Sequence, residues 1–338
     1  MTILVSGGTG FIGSHTVVEL LEAGYDVVVF DNYYNSKPCV IDRIKKITGR
    51  DFKFYEADML DRQALDRIFD ENEIDAAIHF AGLKAVGESV RIPLTYYYNN
   101  IAGTINLCES MAAHGVKRIV FSSSATVYGE PESVPMREDF PITHATNPYG
   151  ETKIIIERIL SDLCVSDPEW SVSCLRYFNP IGAHKSGLIG EDPMGIPNNI
   201  VPRIQKVAAG EWDAITVFGT DYDTPDGTGV RDYIHVTDLA QAHIAALHRA
   251  VSVTGWETYN IGCGRGYSVM EIIDTYERAC GKPIKRDIQP RRPGDIAVSY
   301  ADPTRAREIL GWEAKLTLDD MCRDSHNFRT KNPKGYED

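Results

Sequence analysis

Gly7-Gly8-Thr9-Gly10-Phe11-Ile12-Gly13 follows the apolar run Ile3-Leu4-Val5 and opens a helical pattern that continues through Leu21 to Gly24. Gly-x-x-Gly-x-x-Gly is a variant of the dinucleotide-binding fingerprint, here in the strand–turn–helix context that the fingerprint needs. Its glycines let the backbone approach a pyrophosphate, which can sit on the helix N-terminus where amide groups and the dipole favour negative charge. The alternative is a plain glycine-rich turn. We predict cofactor contacts at Gly7, Gly10, Phe11, Ile12 and Gly13.

An acidic residue ends the second predicted strand, which runs from Asp26 to Phe30. Asp31 follows Gly13 by eighteen residues. A carboxylate at this position hydrogen-bonds the adenosine ribose hydroxyls and repels a 2′-phosphate, so the cofactor is predicted to be NAD rather than NADP. The polar loop groups within reach of the same ribose are Asn32, Asn35 and Ser36.

Strand and helix patterns alternate through the first half of the chain. Strands are predicted at Lys53 to Tyr55, Ala76 to Phe80 and Ile119 to Phe121, with helices at Arg62 to Glu71 and Ile101 to His114. This alternation predicts an α/β fold with a doubly wound parallel sheet of Rossmann type, whose ligands bind beyond the carboxyl ends of the strands. The predicted cofactor contacts at such strand ends and helix starts are Asp58, Met59, Phe80, Ala81, Gly82, Lys84 and Asn99.

The composition changes after Tyr177-Phe178-Asn179-Pro180, where a Gly/Pro/Asn-rich stretch extends from Ile181 to Pro202. We predict an NAD-binding domain at residues 1–180, to which a return segment of about 231–260 belongs. The rest of 181–338 is predicted to form a smaller, discontinuous α+β substrate domain. The stretch 262–266, Gly-Cys-Gly-Arg-Gly, is interpreted as a connecting turn, because no acidic strand end follows at the distance that a second nucleotide loop needs.

Tyr149-Gly150-Glu151-Thr152-Lys153 follows the helix-start signal Asn147-Pro148. A helix beginning there places the phenol of Tyr149 and the ammonium of Lys153 on one face, one turn apart. A neighbouring cation favours the phenolate, which would make Tyr149 a base. One exposed pair cannot lower the phenol's pKa enough, so we expect an enclosed site with further contributing groups.

Charge and cysteine usage exclude several classes of protein. The formal net charge is −13 and no Lys/Arg-rich run occurs, which argues against nucleic acid and anionic membrane surfaces as partners. The seven cysteines are scattered and never form a Cys-x-x-Cys pair, so reduced thiols in a cytoplasmic protein are expected. With a strand predicted from Thr2 to Ser6, we expect no signal peptide, and we expect no membrane span because no apolar run reaches the required length. No metal is expected, since His79, His243 and His248 lack ligand spacing.

Taken together, the glycine-rich start, Ser122-Ser123-Ser124 and Tyr149-x-x-x-Lys153 resemble the extended short-chain dehydrogenase/reductase superfamily. Longer stretches narrow this to a resemblance to the UDP-glucose 4-epimerase family; they are residues 79–89, 122–129, 176–180 and 227–236. The resemblance implies that Tyr149 takes the proton of the sugar's 4-hydroxyl while the C4 hydride goes to NAD. Ser124 would bond the same oxygen and Lys153 would hold the phenolate and the nicotinamide ribose. The resulting 4-ketose would rotate and receive the hydride on its other face.

The same resemblance implies contacts for the cofactor and for a UDP-hexose. Further cofactor contacts are expected at Ser122, Ser124, Tyr149, Lys153, Tyr177 and Phe178. Arg231 and Arg292 are candidates for the two phosphates, since a fork of donors suits phosphate oxygens. The other expected substrate contacts are Lys84, Ser124, Tyr149, Asn179, Asn199, Ile200, Ala214, Ile215, Thr216, Phe218, Tyr233, Asp295 and Ser299.

The family resemblance also carries expectations about substrate range and assembly. Members restricted to glucose and galactose carry a tyrosine at the position of Ser299, whereas those that accept N-acetylated sugars carry a small residue. Ser299 therefore predicts activity on UDP-N-acetylglucosamine and UDP-N-acetylgalactosamine as well, unless Tyr300 shifts into the gap. A homodimer is expected, because the helices at 101–114 and 149–163 form a four-helix interface with their copies in this superfamily.

Two alternatives remain at this stage. A nucleotide-sugar 4,6-dehydratase shares the fold, NAD and the Tyr-x-x-x-Lys pair, but its acid and base stand in a Thr-Asp-Glu pattern where this chain has Ser124-Ala125-Thr126. A non-catalytic NAD-sensing relative usually loses the tyrosine or the lysine, and both are present here.

Overall fold

The computed structural model describes residues 1–292 and 295–336. Its strands are β1 Thr2–Ser6, β2 Asp26–Asp31, β3 Lys53–Glu56, β4 Ala76–His79, β5 Arg118–Ser124, β6 Ser171–Tyr177, β7 Asn179–Ile181, β8 Ile215–Phe218, β9 Val230–Arg231, β10 Tyr233–His235, β11 Gly255–Ile261, β12 Tyr267–Ser268, β13 Arg286–Gln289 and β14 Val298–Ser299.

The α-helices are α1 Phe11–Glu22, α2 Cys39–Thr48, α3 Arg62–Asp70, α4 Val86–Arg91, α5 Pro93–Tyr97, α6 Gly103–Ala113, α7 Pro148–Ser166, α8 Ile200–Ala208, α9 Val236–Ser252, α10 Val269–Cys280 and α11 Leu318–Lys331. Two π-helical turns occur at Tyr98–Ala102 and Ala306–Leu310, and a 3₁₀ turn at Ala125–Tyr128.

A parallel seven-stranded sheet in the order β11-β6-β5-β4-β1-β2-β3 carries the first half of the chain. The strand order reverses between β1 and β4, and this switch point is where doubly wound sheets bind dinucleotides. The predicted doubly wound parallel fold is therefore confirmed.

Both faces of this sheet are buried, as the continuous apolar strands require. Ile3 and Val5 of β1 pack with α1, α2 and α9 on one face, while Leu4 packs with α3, α6 and α7 on the other. Helix α9 and strand β11, which come late in the sequence, thus belong to the large sheet.

A second hydrophobic core lies outside the large sheet. It is formed by α8, α10, α11 and strand β8, with Ile204, Ile273 and Met321 fully buried. Short sheets surround it in the pairings β10-β7, β12-β9-β14 and β13-β8.

The helix predicted at 101–114 begins differently. A π-helical turn at Tyr98–Ala102 precedes α6, and its buried Asn100 bonds both the amide and the carbonyl of Leu83 at 2.8 and 3.0 Å. Because these contacts tie the turn to the loop after β4, local helix pattern alone could not place this boundary.

Candidate active site

Helix α7 begins where the catalytic tyrosine is predicted. The Asn147 side chain caps the helix by accepting the Gly150 amide at 3.0 Å, and Pro148 occupies the first turn. These residues are favoured at a helix start, because the asparagine side chain accepts a backbone amide that would otherwise lack a partner, and proline has no amide hydrogen that needs one. Tyr149 and Lys153 then lie on one face and are 8% and 6% exposed.

Lys153 is held by the sheet. Its ammonium donates to the carbonyl oxygen of Ser122 at 2.8 Å and lies 4.7 Å from the centroid of the Phe121 ring. The centroid of the Tyr149 ring is 5.9 Å from the same nitrogen. Ser124 ends strand β5 next to Tyr149, where its hydroxyl accepts the Thr126 amide at 3.2 Å.

Burial dominates the electrostatics of this pair. Desolvation raises the pKa of the Tyr149 phenol to about 12, against which a hydrogen bond with Ser124 acts. Burial also lowers the pKa of the Lys153 ammonium to about 8, opposed by Cys174 and Glu157. The pair is enclosed, as expected, and loss of hydration outweighs the stabilisation that the protein groups give the phenolate. Further positive charge is therefore needed to ionise Tyr149, in line with the expectation that other groups contribute.

A buried ion pair joins α7 to strand β6. Glu157 and Arg176 are joined at 2.6 Å, and Glu157 also accepts the Ser123 hydroxyl at 2.6 Å. Removing one partner of a buried pair is costly, so this contact ties α7 to β5 and β6 in one register.

The structure fits a dinucleotide at the N-terminus of α1. Gly10 is the N-cap and makes no side-chain capping bond, so the first amides of the helix have no capping partner from it. Gly13 has no room for a side chain, since a Cβ there would lie 2.2 Å from the carbonyl oxygen of Gly7. This tight turn and its uncapped helix amides suit a pyrophosphate.

Asp31 is fixed at the end of β2 by three neighbours. Its carboxylate accepts the Thr9 amide at 3.2 Å, the Tyr33 amide at 2.9 Å and the Ser36 hydroxyl at 3.2 Å. Two carboxylate oxygens have about four acceptor positions, so one remains for a ribose hydroxyl. Asn32 contacts Asp58 at 2.9 Å, while Asn35 accepts the Met194 amide at 3.2 Å.

A cleft of about 660 Å³ joins the dinucleotide turn to Tyr149. The sequence-predicted residues that line it are Gly7, Gly10, Phe11, Ile12, Gly13, Asp31, Asn32, Asn35, Ser36, Asp58, Met59, Phe80, Ala81, Gly82, Lys84, Asn99, Ser124, Tyr149, Lys153, Tyr177, Phe178, Asn179, Asn199, Arg231, Asp295 and Ser299.

Other predicted contacts are not on the described cleft wall; they are Ser122, Ile200, Ala214, Ile215, Thr216, Phe218, Tyr233 and Arg292. Ile215 and Tyr233 are buried in the second core. The Ser122 hydroxyl faces away toward His243 at 2.7 Å, so only its carbonyl reaches the site. Residue spacing alone could not distinguish these positions from those on the cleft wall.

The two predicted phosphate arginines converge on one carboxylate. Arg231 meets Asp295 at 2.5 Å, and Arg292 meets its other oxygen at 3.1 Å. The Arg292 guanidinium also lies 4.7 Å from the centroid of Phe218. Pro293 and Gly294, which connect Arg292 to Asp295, lie outside the described residues.

Ser299 and Tyr300 have different environments. Ser299 pairs with Arg231 in the β14–β9 ladder and lines the cleft, where it is 8% exposed. Tyr300 is not among the described lining residues, and its ring lies near Gly266. Because successive strand residues point to opposite faces, the tyrosine does not replace the serine at the wall.

Sequence reasoning missed Glu191, which joins the two walls of the cleft. Its carboxylate accepts Asn199 at 2.5 Å and lies 3.7 Å from the Lys84 ammonium. Burial raises its pKa, which Lys84 and Asn199 oppose. Glu191 lies in the Gly/Pro/Asn-rich stretch from Ile181 to Pro202, where no residue spacing marks it as a site residue.

Within residues 1–292 and 295–336, no group of three or more His, Cys, Asp or Glu side chains could hold a metal ion. In the same described ranges, no helix has both the length and the apolar character that crossing a bilayer takes.

Residues 3–262 match the model of the NAD dependent epimerase/dehydratase family. The chain is 59% identical to the UDP-glucose 4-epimerase of Bacillus subtilis (strain 168) over 337 residues, covering 100% of this chain and 99% of the relative. The chain belongs to the UDP-glucose 4-epimerase family. Members are isomerases and use NAD, which confirms the predicted enzyme class and cofactor.

Two solved structures of the family extend the comparison. The UDP-glucose 4-epimerase of Bifidobacterium longum, in complex with NAD+ and UDP, superposes with a TM-score of 0.96 at 55% identity, covering 99% of this chain and 100% of that one. The UDP-Glc/GlcNAc 4-epimerase of Campylobacter jejuni gives 0.85 at 36% identity, covering 98% and 99%. These relatives are 4-epimerases, so neither the dehydratase nor the NAD-sensing alternative is favoured.

Proposed function

We propose that this protein interconverts UDP-galactose and UDP-glucose by transient oxidation at C4 of the sugar. The observation that carries the proposal is the buried group of Tyr149, Ser124 and Lys153 at the inner end of a cleft that also contains the dinucleotide turn. Bound NAD supplies the chemistry of accepting a hydride from C4 and returning it.

The protein's residues handle the proton. Tyr149 accepts the proton of the 4-hydroxyl and returns it after the sugar has turned, while Ser124 holds the same oxygen. Since burial raises the pKa of this phenol, its ionisation must be favoured by positive charge in the closed site. Lys153 provides part of that charge, and the nicotinamide cation would provide the rest.

A rotating sugar needs its diphosphate and uridine held elsewhere. Arg231 and Arg292 already share Asp295 at the substrate side of the molecule. We assign the two guanidinium groups to the diphosphate and Asp295 to a uridine ribose hydroxyl. Residues 1–180 with about 231–260 form the cofactor domain in this proposal, and the rest of 181–338 forms the UDP-sugar domain.

We also assign a broad substrate range to the site. Ser299 lines the cleft and leaves the volume that a tyrosine would fill, so an N-acetyl group at C2 can be accommodated. UDP-N-acetylglucosamine and UDP-N-acetylgalactosamine are then substrates as well.

A homodimer in the cytoplasm completes the proposal. Apolar side chains are exposed along α4, α5 and the following turn, with Val90 61%, Leu94 81% and Tyr98 67% exposed, and Val165 at the end of α7 is 83% exposed. Exposed apolar side chains on these helices suit an isologous contact. No disulfide joins any of the seven cysteines, all of which lie in the described part of the chain, and this suits a reducing compartment. Light scattering showing a monomer at micromolar concentration would contradict the dimer.

The proposed activity is tested by incubating purified protein with UDP-galactose without added NAD. A mixture of UDP-galactose and UDP-glucose is expected, because the cofactor is regenerated in each turnover. A dehydratase would instead form a 4-keto-6-deoxy sugar, and an NAD-sensing protein would leave the substrate unchanged. Either result would refute the proposal.

A further inference from the structure

Asp232, directly after β9, is a fully buried carboxylate that the catalytic chemistry does not use. Its oxygens accept three backbone amides, from Cys263 at 2.8 Å and from Gly264 and Ala301 at 3.1 Å each. A carboxylate that collects donors from separate loops fixes those loops relative to one another.

The main chain of Asp232 holds the strand that carries Ser299. The Asp232 amide donates to the carbonyl oxygen of Ser299 at 2.9 Å, and its carboxylate holds Ala301 two residues later. The segment 299–301 is therefore held at both ends by bonds to a single residue. Because β14 is only two residues long, these bonds are a large part of what sets its position.

The turn at 262–266 packs against the same carboxylate. A Cβ at Gly262 would lie 2.5 Å from an Asp232 carboxylate oxygen and 2.8 Å from the Cβ of Ala301. The glycine lets the turn come close enough for its next two amides to reach Asp232. This gives a structural role to the glycine-rich turn at 262–266.

The other side of the segment is hydrogen-bonded to Met136. Met136, which lines the cleft, donates its amide to Tyr300 at 2.9 Å and accepts the Asp302 amide at 2.8 Å. The Met136 carbonyl also accepts the Asn260 side chain at 2.9 Å. The segment 300–302, directly after Ser299, is thus held by the backbone of Met136 on one side and by the carboxylate of Asp232 on the other.

We propose that Asp232 is a positioning residue that sets the substrate range by holding Ser299 at the cleft wall. The inference rests on the proposed role of Ser299 beside the sugar's C2 substituent. An acetamido group fits only when this wall stays in one position, whereas a hydroxyl at C2 does not reach it. Asp232 is therefore needed more for N-acetylated than for plain sugars.

The test compares Asp232→Asn with a matched variant, Asp238→Asn. An asparagine keeps the shape but turns an NH₂ group toward backbone amides, which places donor against donor. Asp238 is also buried, at 2% exposed, and accepts the amides of Lys315 and Leu316 at 3.0 and 2.8 Å. Those partners are outside β14, so Asp238→Asn controls for the loss of a buried carboxylate.

For Asp232→Asn we expect kcat/KM for UDP-N-acetylgalactosamine to fall about tenfold and that for UDP-galactose by less than about threefold. Asp238→Asn should keep the wild-type ratio of the two kcat/KM values, even if its thermal midpoint falls as far as that of Asp232→Asn. If Asp232→Asn keeps the wild-type ratio of the two kcat/KM values, the proposal is overturned. If Asp232→Asn does not fold, Asp232→Ser, which adds no opposing amide group, takes its place.

Hydrogen exchange supplies a readout independent of activity. The Ala301 amide should exchange at least about tenfold faster in Asp232→Asn than in the wild type. In Asp238→Asn its exchange rate should equal that of the wild type. If the wild type ignores N-acetylated sugars, the proposed role of Ser299 fails, and exchange alone decides whether Asp232 holds the strand. Unchanged exchange at Ala301 would refute the positioning role in either case.

Discussion

The ammonium nitrogen of Lys153 lies 2.8 Å from the carbonyl oxygen of Ser122, so the end of strand β5 aims this cation into the cleft. Lys153→Met keeps the length of the side chain but removes its charge. We expect kcat to fall at least about a hundredfold, because the buried phenolate loses a cation in a site that excludes water. Lys117→Met, at an ion pair with Asp167 remote from the cleft lining, should keep wild-type kcat. A kcat within threefold of wild type for Lys153→Met would contradict this role.

Tyr149→Phe removes the proton acceptor and keeps the ring. Turnover should fall by about a hundredfold or more, the usual effect of a positioned general base. NAD content should stay at the wild-type level, since the dinucleotide turn is untouched. Activity within a few-fold of wild type would remove Tyr149 from the mechanism.

Gly13→Ala should empty the cofactor site. The new Cβ would overlap the Gly7 carbonyl oxygen at 2.2 Å, and the turn must shift to relieve the overlap. We expect NAD in the purified protein to fall below about a tenth of the wild-type amount, with a lower thermal midpoint because bound cofactor stabilises the fold. Gly87→Ala is the control, since a Cβ there meets nothing within 4 Å. Full NAD content in Gly13→Ala would show that the turn tolerates the shift.

Ser299→Tyr should remove activity on N-acetylated sugars selectively. The phenol occupies the cleft volume that an acetamido group needs, and overlap with a packed wall is costly. We expect kcat/KM for UDP-N-acetylglucosamine to fall at least about a hundredfold, with that for UDP-galactose within about threefold. Ser299→Ala, which keeps the volume, should retain both activities. A wild-type protein that epimerises only UDP-galactose would disprove the gate.

Stability should fall on mild acidification. Burial lowers the pKa of His15 and His79 from 6.5 to about 3, and that of His243 to about 4. Below pH 6.5 the unfolded chain therefore binds more protons, so this stabilisation is present above that pH and is lost as the pH falls toward the folded values. From about pH 7.5 to about pH 5.5, each histidine should cost roughly 1.4 kcal/mol of unfolding free energy. Asp232, whose pKa burial raises to about 7, should offset part of this loss, because the folded state takes up a proton there in the same range.

Urea unfolding across this pH range, at fixed protein concentration, measures the loss. His243→Gln should lose less stability on acidification than wild type by about one histidine's share. His144→Gln, whose imidazole is 89% exposed, should follow the wild-type dependence. A wild-type stability that does not change over the range would show that the buried histidines are compensated by other groups.

Features carried by local motifs were accessible from the sequence. Gly7 to Gly13 follow one strand and open one helix, and Tyr149 and Lys153 lie one turn apart after a capping asparagine, so neighbouring residues alone decide these geometries. The apolar strands and their alternation with helices predicted the parallel sheet for the same reason. The family resemblance then indicated NAD and a UDP-hexose.

Contacts between residues far apart in the chain were decided by the tertiary structure. Lys153 reaches Ser122, Glu191 joins Lys84 to Asn199, and Asp232 holds Ala301 only because packing of the sheet and of the second core brings separate loops within hydrogen-bonding distance. The pKa of Tyr149 also depends on packing, because the extent of burial is a property of the assembled cleft. Spacing in the sequence determines which side chains share a face of one helix or strand. The distance between two elements depends instead on every side chain packed between them.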